Sequence, residues 1–267
     1  MLRGASAEAL AGLSDKLVKS DTLADTAKTG EDLFGVVRLL RSDVALRRVL
    51  TDSSVDVEAR TGLAETVFGS AVGERTMKIL SDAATRRWTA SGDLPDVLER
   101  LAVVSTVRSA GKDGTTVGDE LFGVRRMIDG HPELRSALSD QTRSLEDRTR
   151  LLDGLLEGKT LPATTLLVRE AISRGQGTVG SVLERYLELA AGALDEAVAT
   201  VHTARELTTS EQERLVTALT KQYGSQVQLH VVVDPDLVGG LRIHIRDDVI
   251  DGSVAGRLDD ARRKLAS

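Results

Sequence analysis

The stretch that decides the fold of the C-terminal region is VQLHVVVDPDLVGGLRIHIRDDVIDGSVAGRLDDARRKL, residues 227–265. Residues 227–233 and 241–246 each alternate apolar and polar side chains, which predicts two β-strands with one apolar and one solvated face. The connection between them, 234–240, is too short for a crossover helix, so the two strands are expected to pair antiparallel. Such a sheet should carry its helices on one face only.

This stretch also contains residues that are typical of turns. A double glycine between the strands predicts a close-packed turn, and an Asp-Gly pair after them predicts a second turn. Ser253 is expected to cap a closing helix that ends at Leu265. The predicted turn signature consists of Gly239, Gly240, Asp251 and Gly252.

The residues upstream complete a small domain. Residues 197–205 alternate apolar and polar side chains and predict a strand. A helix over 207–223 follows, and Ser210 with Glu213 has the spacing of a capping box before its apolar stripe. The C-terminal domain, residues 196–267, is therefore predicted to have the element order β-α-β-β-α.

The helical body before this domain repeats itself. Residues 31–52 read EDLFGVVRLLRSDVALRRVLTD and residues 119–140 read DELFGVRRMIDGHPELRSALSD. At an offset of 88, nine of these 22 positions are identical, where chance gives roughly one or two, and this indicates an internal duplication. After a slip of three residues, Val97–Arg100 (VLER) meets the identical 182–185.

Each copy is predicted to contain five short helices, and the fold class is mainly α. An opening helix, 5–19, precedes the first copy alone, which gives a six-helix bundle at 1–110 and a five-helix unit at 111–195. A bundle that lacks one helix should expose an apolar groove suited to a partner helix. The predicted helices lie near 29–41, 43–51, 56–69, 72–87 and 94–110, and near 117–129, 132–139, 143–157, 161–174 and 178–199.

Composition excludes several classes of protein. The net charge of −6 and the aromatic content of 2% argue against binding to nucleic acid. The chain has no cysteine, so disulfides and thiolate metal sites are excluded. The N-terminus lacks the apolar core of a secretory signal, and no apolar run approaches the length of a membrane span. A cytoplasmic protein without direct membrane insertion is expected.

The sequence offers weak candidates for chemistry. Gly154–Thr160 (GLLEGKT) resembles a phosphate-binding loop, but it has three residues between its glycines instead of four and follows a helical pattern. Five aspartates near the C-terminus lack calcium-loop spacing, and the four histidines are expected to be solvated or cross-strand residues. No catalytic, cofactor-binding or metal-binding residue is predicted. The candidates weighed are Asp234, Asp236, Asp247, Asp248 and Asp251, and His131, His202, His230 and His244.

The C-terminal motifs resemble a known family. VGGLRI at 238–243, DVIDGSV at 248–254 and GRL at 256–258 closely resemble the signature of the ATP synthase delta subunit family, which includes the mitochondrial oligomycin-sensitivity-conferring protein. LPDVLE at 94–99 resembles the last bundle helix of that family. The resemblance covers 1–110 and 196–267, and the extra unit between them is similar to the longer forms found in high-GC bacteria.

The resemblance implies a non-catalytic stator subunit of the proton-translocating ATP synthase. The N-terminal bundle would grip the N-termini of the alpha subunits of the catalytic head. The C-terminal domain would hold the b subunits, at the cytoplasmic face of the cell membrane. In this family the first and fifth helices carry the head contact, which here points to Leu10, Leu13, Leu17, Ile79, Leu80 and Ala83. An aromatic residue usual in the first helix is matched by Ala5.

Two rival hypotheses remain at this stage. A generic helical-repeat scaffold would use the α/β domain merely to end the stack. A nucleotide-binding enzyme would use the loop at 154–160.

Overall fold

The computed structural model describes residues 2–17, 22–140, 142–175, 177–194, 196–223, 226–235, 237, 239–245 and 248–254. The chain forms two compact units, Met1–Ala190 and Ala191–Ser267. The expected fold class is confirmed at the level of a mainly helical protein with a small C-terminal sheet, and the sheet is four-stranded and mixed. The prediction that the helical body divides near residue 110 stays a prediction.

Eleven α-helices precede the first strand in the described ranges. A short 3-10 helix, Gly111–Asp113, joins the sixth to the seventh. The helices are α1 (Ala5–Leu17), α2 (Leu23–Ser42), α3 (Val44–Thr51), α4 (Val57–Phe68), α5 (Glu74–Thr85), α6 (Asp93–Ser109), α7 (Gly114–Gly130), α8 (Pro132–Ser139), α9 (Leu145–Leu156), α10 (Pro162–Ser173) and α11 (Val179–Ala193). The predicted helix at 178–199 is wrong at its end, because the alternating residues after α11 form a strand.

Local side chains start several of these helices. Thr22, Asp43 and Ser144 each accept a hydrogen bond from the backbone N–H three residues later, at 2.9–3.0 Å. Such caps satisfy N–H groups that have no partner inside the helix. The capping residues therefore determine where these three helices begin.

Helix positions recur at a fixed spacing. Helices α8, α9 and α10 begin and end 88 residues after α3, α4 and α5. In each set a carboxylate on an earlier helix caps a later one through a backbone N–H and a hydroxyl. Asp32 accepts from the N–H of Gly73 (2.7 Å) and the hydroxyl of Thr76 (3.1 Å), and Glu120 accepts from the N–H of Leu161 (2.9 Å) and the hydroxyl of Thr164.

Helix α6 lies at the centre of the helical unit. Eleven of its 17 residues are buried, more than a single apolar stripe requires, so it packs against neighbours on more than one side. Helix α2 crosses it closely at Gly30, where a Cβ would lie 2.5 Å from the hydroxyl oxygen of Thr106. A glycine is required at this crossing because any side chain would push the two helices apart.

The C-terminal unit contains β1 (Glu196–Thr203), α12 (Thr209–Tyr223), β2 (Gln226–Val233), β3 (Leu241–Ile245) and β4 (Asp248–Asp251). The strand order is β2-β1-β3-β4, with β1 parallel to β2 and antiparallel to β3. The predicted direct pairing of the strands at 227–233 and 241–246 is therefore wrong. Helix α12 makes β1-α12-β2 a parallel crossover, and the loop after β2 then passes the end of β1, where Asp234 N–H donates to the Thr203 carbonyl (2.8 Å).

Two further details of the predicted domain differ. The strand β4, which pairs antiparallel with β3, was not predicted. The capping box of α12 is formed by Thr208 and Glu211 rather than by Ser210 and Glu213: Glu211 N–H donates to the Thr208 hydroxyl (3.3 Å), and Thr208 N–H donates to the Glu211 carboxylate (2.9 Å). The predicted closing helix to Leu265 lies outside the described residues.

The sheet packs one apolar face against α12. The core consists of Ala199, Val201, Leu219, Val227, Ile243 and Ile245. The opposite face is not uniformly solvated as predicted, because Gln228 and His230 are only 8% and 3% exposed. His202 and His244 do form a cross-strand pair, with ring centroids 5.5 Å apart.

Candidate functional site

The predicted head-contact residues lie on two helices that pack together. Helices α1 and α5 are in contact, so the structure brings the six residues into one region. Five of them are buried in the bundle and only Leu10 is half-exposed; the buried five are Leu13, Leu17, Ile79, Leu80 and Ala83. Of the six predicted residues, only Leu10 is therefore accessible at this surface.

Polar contacts hold α1 against α5. Asp82 on α5 forms ion pairs with Lys16 of α1 (3.2 Å) and with Arg86 (2.9 Å). The Arg86 guanidinium lies over Gly12, where a Cβ would approach it to 2.6 Å. Arg75 donates to the carbonyl of Leu17, at the end of α1 (2.7 Å). These contacts fix the position of α1 on the bundle.

The start of α1 is anchored to the loop before α6 and to the first residue of α6. The hydroxyl of Ser6 donates to the Asp93 carboxylate (2.6 Å) and accepts from the Thr89 N–H (2.8 Å). The Thr89 hydroxyl donates to the Arg3 carbonyl (2.9 Å). The indole of Trp88, the single tryptophan of the chain, donates to the Ala83 carbonyl of α5 (3.1 Å). Trp88 thus reports on the end of α5.

An open groove of about 930 Å³ adjoins α5. Half-buried Met77 and buried Ile79 line it, together with charged residues of both signs. The Lys78 ammonium lowers the pKa of the Glu74 carboxyl through a hydrogen bond (2.6 Å). The sequence analysis did not identify the charged residues of this groove, although Glu74, Lys78 and Asp82 repeat at a four-residue spacing along α5. The charged lining includes Lys16, Lys28, Glu65, Glu74, Lys78 and Asp82.

A second polar cluster surrounds Glu99 on α6. This carboxylate is 3% exposed. It accepts hydrogen bonds from Arg41 (3.1 and 3.2 Å), Arg185 (3.0 Å) and the hydroxyl of Tyr186 (2.8 Å). Arg174 lies 3.5 Å from it. A buried charge is tolerated when several donors surround it, so Glu99, on α6, links α2, α11 and the residue that follows α10.

The surroundings of Glu99 keep both Tyr186 and Arg41 protonated. Burial, followed by the charge of Glu99 and the hydrogen bond to it, raises the pKa of Tyr186. Burial alone would lower the pKa of Arg41, but the hydrogen bonds and charges of Glu99 and Asp96 outweigh that effect and raise it. Tyr186 therefore stays a neutral donor and Arg41 a cation.

The other candidate sites show structural roles. In the loop at 154–160, Gly158 ends α9 with a φ of +70°, and Lys159 donates to the Leu155 carbonyl (3.1 Å). A helix precedes this loop instead of the buried strand that a phosphate-binding loop requires. Within the described ranges, no three His, Cys, Asp or Glu side chains form a metal-binding group. Asp236 and Asp247 lie outside those ranges.

The turn signature is a close backbone contact. Gly240 has a φ of +81°, and a Cβ there would lie 2.4 Å from the Gly252 carbonyl oxygen. Gly252 N–H donates to the Leu241 carbonyl (2.9 Å), and Val254 N–H donates to that of Gly239 (3.0 Å). Asp251 is the last residue of β4 and directly precedes Gly252. Its carboxylate accepts from the N–H of Ser253 (2.9 Å) and pairs with Arg242 (3.1 Å) on β3.

The chain is similar in sequence to known proteins. Residues 101–265 match the family model described as ATP synthase delta (OSCP) subunit. The chain is 46% identical to ATP synthase subunit delta of Nocardioides sp., covering 99% of this chain and 97% of the relative. It is 43% identical to the same subunit of Kineococcus radiotolerans, with coverages of 91% and 89%. A chain of the Toxoplasma gondii mitochondrial ATP synthase hexamer matches 62% of this chain and 96% of its own length, at 20% identity and a TM-score of 0.37.

The helices and the strands define a mainly helical protein with a small C-terminal mixed sheet. The family model and the two relatives identify it further, and the chain belongs to the ATP synthase delta (OSCP) subunit family. It is a stator subunit of the peripheral stalk and is not itself catalytic. The resemblance noted in the C-terminal motifs is thereby confirmed, and the generic scaffold is not favoured. None of the helices, as far as the structure describes them, is long and apolar enough to cross a membrane.

Proposed function

We propose that this subunit joins the catalytic head to the stalk through two separate interfaces at the cytoplasmic face of the cell membrane. An N-terminal helix of an alpha subunit binds beside α1 and α5, and the C-terminal domain, residues 196–267, binds the b subunits. Two interfaces keep a stator attached under rotor torque without one very large contact, because each raises the effective concentration of the other.

The observation that carries the head contact is the groove of about 930 Å³ beside α5. Its apolar Met77 and Ile79 suit the apolar face of a helix. Its rim presents Lys16, Lys78 and Glu74, which suit a helix with charges of both signs along its edges. Leu10 supplies exposed apolar surface on α1.

The unit at 111–195 is, on this proposal, a duplicate of the five helices at 23–110. Two observations support this proposal. Each of α8–α10 begins and ends 88 residues after its counterpart among α3–α5, and the caps at Asp32 and Glu120 are equivalent. A turn supports it as well. Asp52 accepts from the N–H and hydroxyl of Ser54, and Asp140 does the same with Thr142. These hydrogen bonds lower the pKa of both aspartates.

Tryptophan fluorescence tests the head contact. A synthetic peptide of the alpha-subunit N-terminus, titrated into the full chain, should change the emission of Trp88, which is bonded to α5. Leu10→Asp should weaken binding about tenfold or more, because a carboxylate would have to be desolvated in an apolar contact. Leu151→Asp is the matched control, since Leu151 is an exposed leucine, 39% accessible, in the second copy. Equal loss in both variants, or no binding to the unaltered chain, contradicts this assignment.

A further inference from the structure

The contacts between α1 and α5 provide a reference for the second copy. Two of these contacts lie at the end of α5: Asp82 pairs with Lys16, and Arg86, which directly follows α5, lies over Gly12. At the offset of 88 residues their counterparts are Glu170, on α10, and Arg174, which directly follows it. The second copy has no first helix of its own, so these counterparts must find other partners.

Helices of the first copy supply those partners. Glu170 forms an ion pair with Arg38 of α2. Arg174 lies 3.6 Å from Asp96 and 3.5 Å from Glu99, both on α6. The two positions that bind α1 in the first copy therefore bind α2 and α6 in the second.

The apolar residues of α10 also contact the first copy. Helix α10 packs on α6. The counterparts of Ile79, Leu80 and Ala83 are all buried, and they are Leu167, Val168 and Ala171. The surface of α10 that corresponds to the predicted head contact is thus already covered within the chain.

Glu99 fixes this arrangement. Its carboxylate receives hydrogen bonds from Arg41 of the first copy and from Arg185 and Tyr186 of the second. The ring of Tyr186 packs near that of Phe34 on α2, with centroids 6.4 Å apart. The donors come from both copies, so removing the Glu99 carboxylate while the copies stay packed would leave buried charged groups without their partner.

We infer that α6, with α2, occupies in the second copy the place that α1 occupies in the first. Among the residues that the structure describes, the missing helix then leaves no open place on α10, and the subunit binds one head helix rather than two. The groove expected from the missing helix is, on this inference, absent there. The identity of the partner rests on the proposed function, whereas the packing does not.

Hydrogen exchange tests the packing without any partner. Glu99→Gln in the full chain should speed amide exchange in α10 and α11 about ten- to hundredfold, because α11 loses charged hydrogen bonds to the first copy and Arg174, directly after α10, loses its ionic contact with Glu99. Tyr186→Phe, a milder change, should act in the same direction. Arg169→Ala is the matched control: Arg169 is on α10 but pairs with Asp153 of α9, inside the second copy (2.8 Å). Wild-type exchange in α10 and α11 of both Glu99→Gln and Tyr186→Phe overturns the inference.

Calorimetric titration with the alpha N-terminal peptide tests the stoichiometry. One peptide per chain, lost in Leu10→Asp, supports the inference, and two per chain overturn it. Absence of any binding contradicts the proposed function instead, and the exchange result then decides the packing by itself.

Discussion

The hydroxyl of Tyr186 donates a 2.8 Å hydrogen bond to Oε1 of Glu99 across 87 residues of sequence, and both side chains are buried. This bond joins a helix of the duplicated unit to the central helix of the bundle. Together with the three arginines around Glu99, it connects helices on both sides of residue 110 within one compact unit, Met1–Ala190. A stator subunit that must transmit force benefits from such a connection, since packed interiors deform little under load.

Removing the Glu99 carboxylate should destabilise the helical unit strongly. Glu99→Ala leaves Arg41, Arg174 and Arg185 close together without their shared anion, and we expect a loss of about 3–5 kcal/mol in the free energy of unfolding. Tyr186→Phe should cost about 1–2 kcal/mol. Urea unfolding followed by circular dichroism measures both. Glu146→Ala, which breaks an exposed pair with Arg150, should stay within about 1 kcal/mol of the wild type; comparable losses in all three variants would refute the role of Glu99.

The two distant caps should contribute similarly. Asp32→Ala frees the N–H of Gly73 at the start of α5, and Glu120→Ala frees that of Leu161 at the start of α10. We expect each to lower the free energy of unfolding by about 0.5–2 kcal/mol. Urea unfolding, with exchange of the freed amides, checks this. A large effect for one variant and none for the other would argue against equivalent roles in the two copies.

The C-terminal unit should lose stability in acid through Glu211. The hydrogen bond from Arg205, followed by those from Thr208, lowers the pKa of Glu211 from 4.5 to about 2. A carboxyl with a lowered pKa stabilises the folded state above its unfolded pKa, and this contribution disappears as the pH falls from 4.5 towards 2. Calorimetric melting between pH 6 and pH 2, values chosen to bracket this range, should therefore show a shallower decline for Glu211→Gln than for the wild type. Parallel curves would contradict the assignment.

Gly240 should not tolerate a side chain. Gly240→Ala combines a φ of +81° with a Cβ placed 2.4 Å from the Gly252 carbonyl, so we expect a loss of about 1–3 kcal/mol in the C-terminal unit. Gly154→Ala is the control, because Gly154 lies within helix α9 with open space around it and should gain about 0.5–1 kcal/mol. Thermal unfolding of both variants measures the difference. A neutral Gly240→Ala would show that the turn can move away from Gly252.

Much of this protein was predictable because local patterns carry the information. The identical residues at an offset of 88 anticipated helices that start and end at that same offset, and the alternation at 227–233 anticipated β2. The place of β2 in the strand order could not be predicted from the length of the loop at 234–240. The sheet places β1 between β2 and β3, and only the packing of α12 and the strand register decide that order. The capping box of α12 was predicted two residues too late. Thr208 with Glu211 and Ser210 with Glu213 have the same spacing, and the structure uses the first pair.

Sequence alone determined the family, the helical content, the repeat and the turn glycines, because each is expressed in residues close together in the chain. Tertiary structure alone decided what surrounds Glu99 and which surfaces are free. Leu13, Leu17, Ile79, Leu80 and Ala83 read equally well as a docking stripe or as core, and burial assigns them to the core. Glu170 and Arg174 contact α2 and α6, which are far from them in sequence. Long-range contacts of this kind depend on packing and charge in three dimensions, which no local pattern encodes.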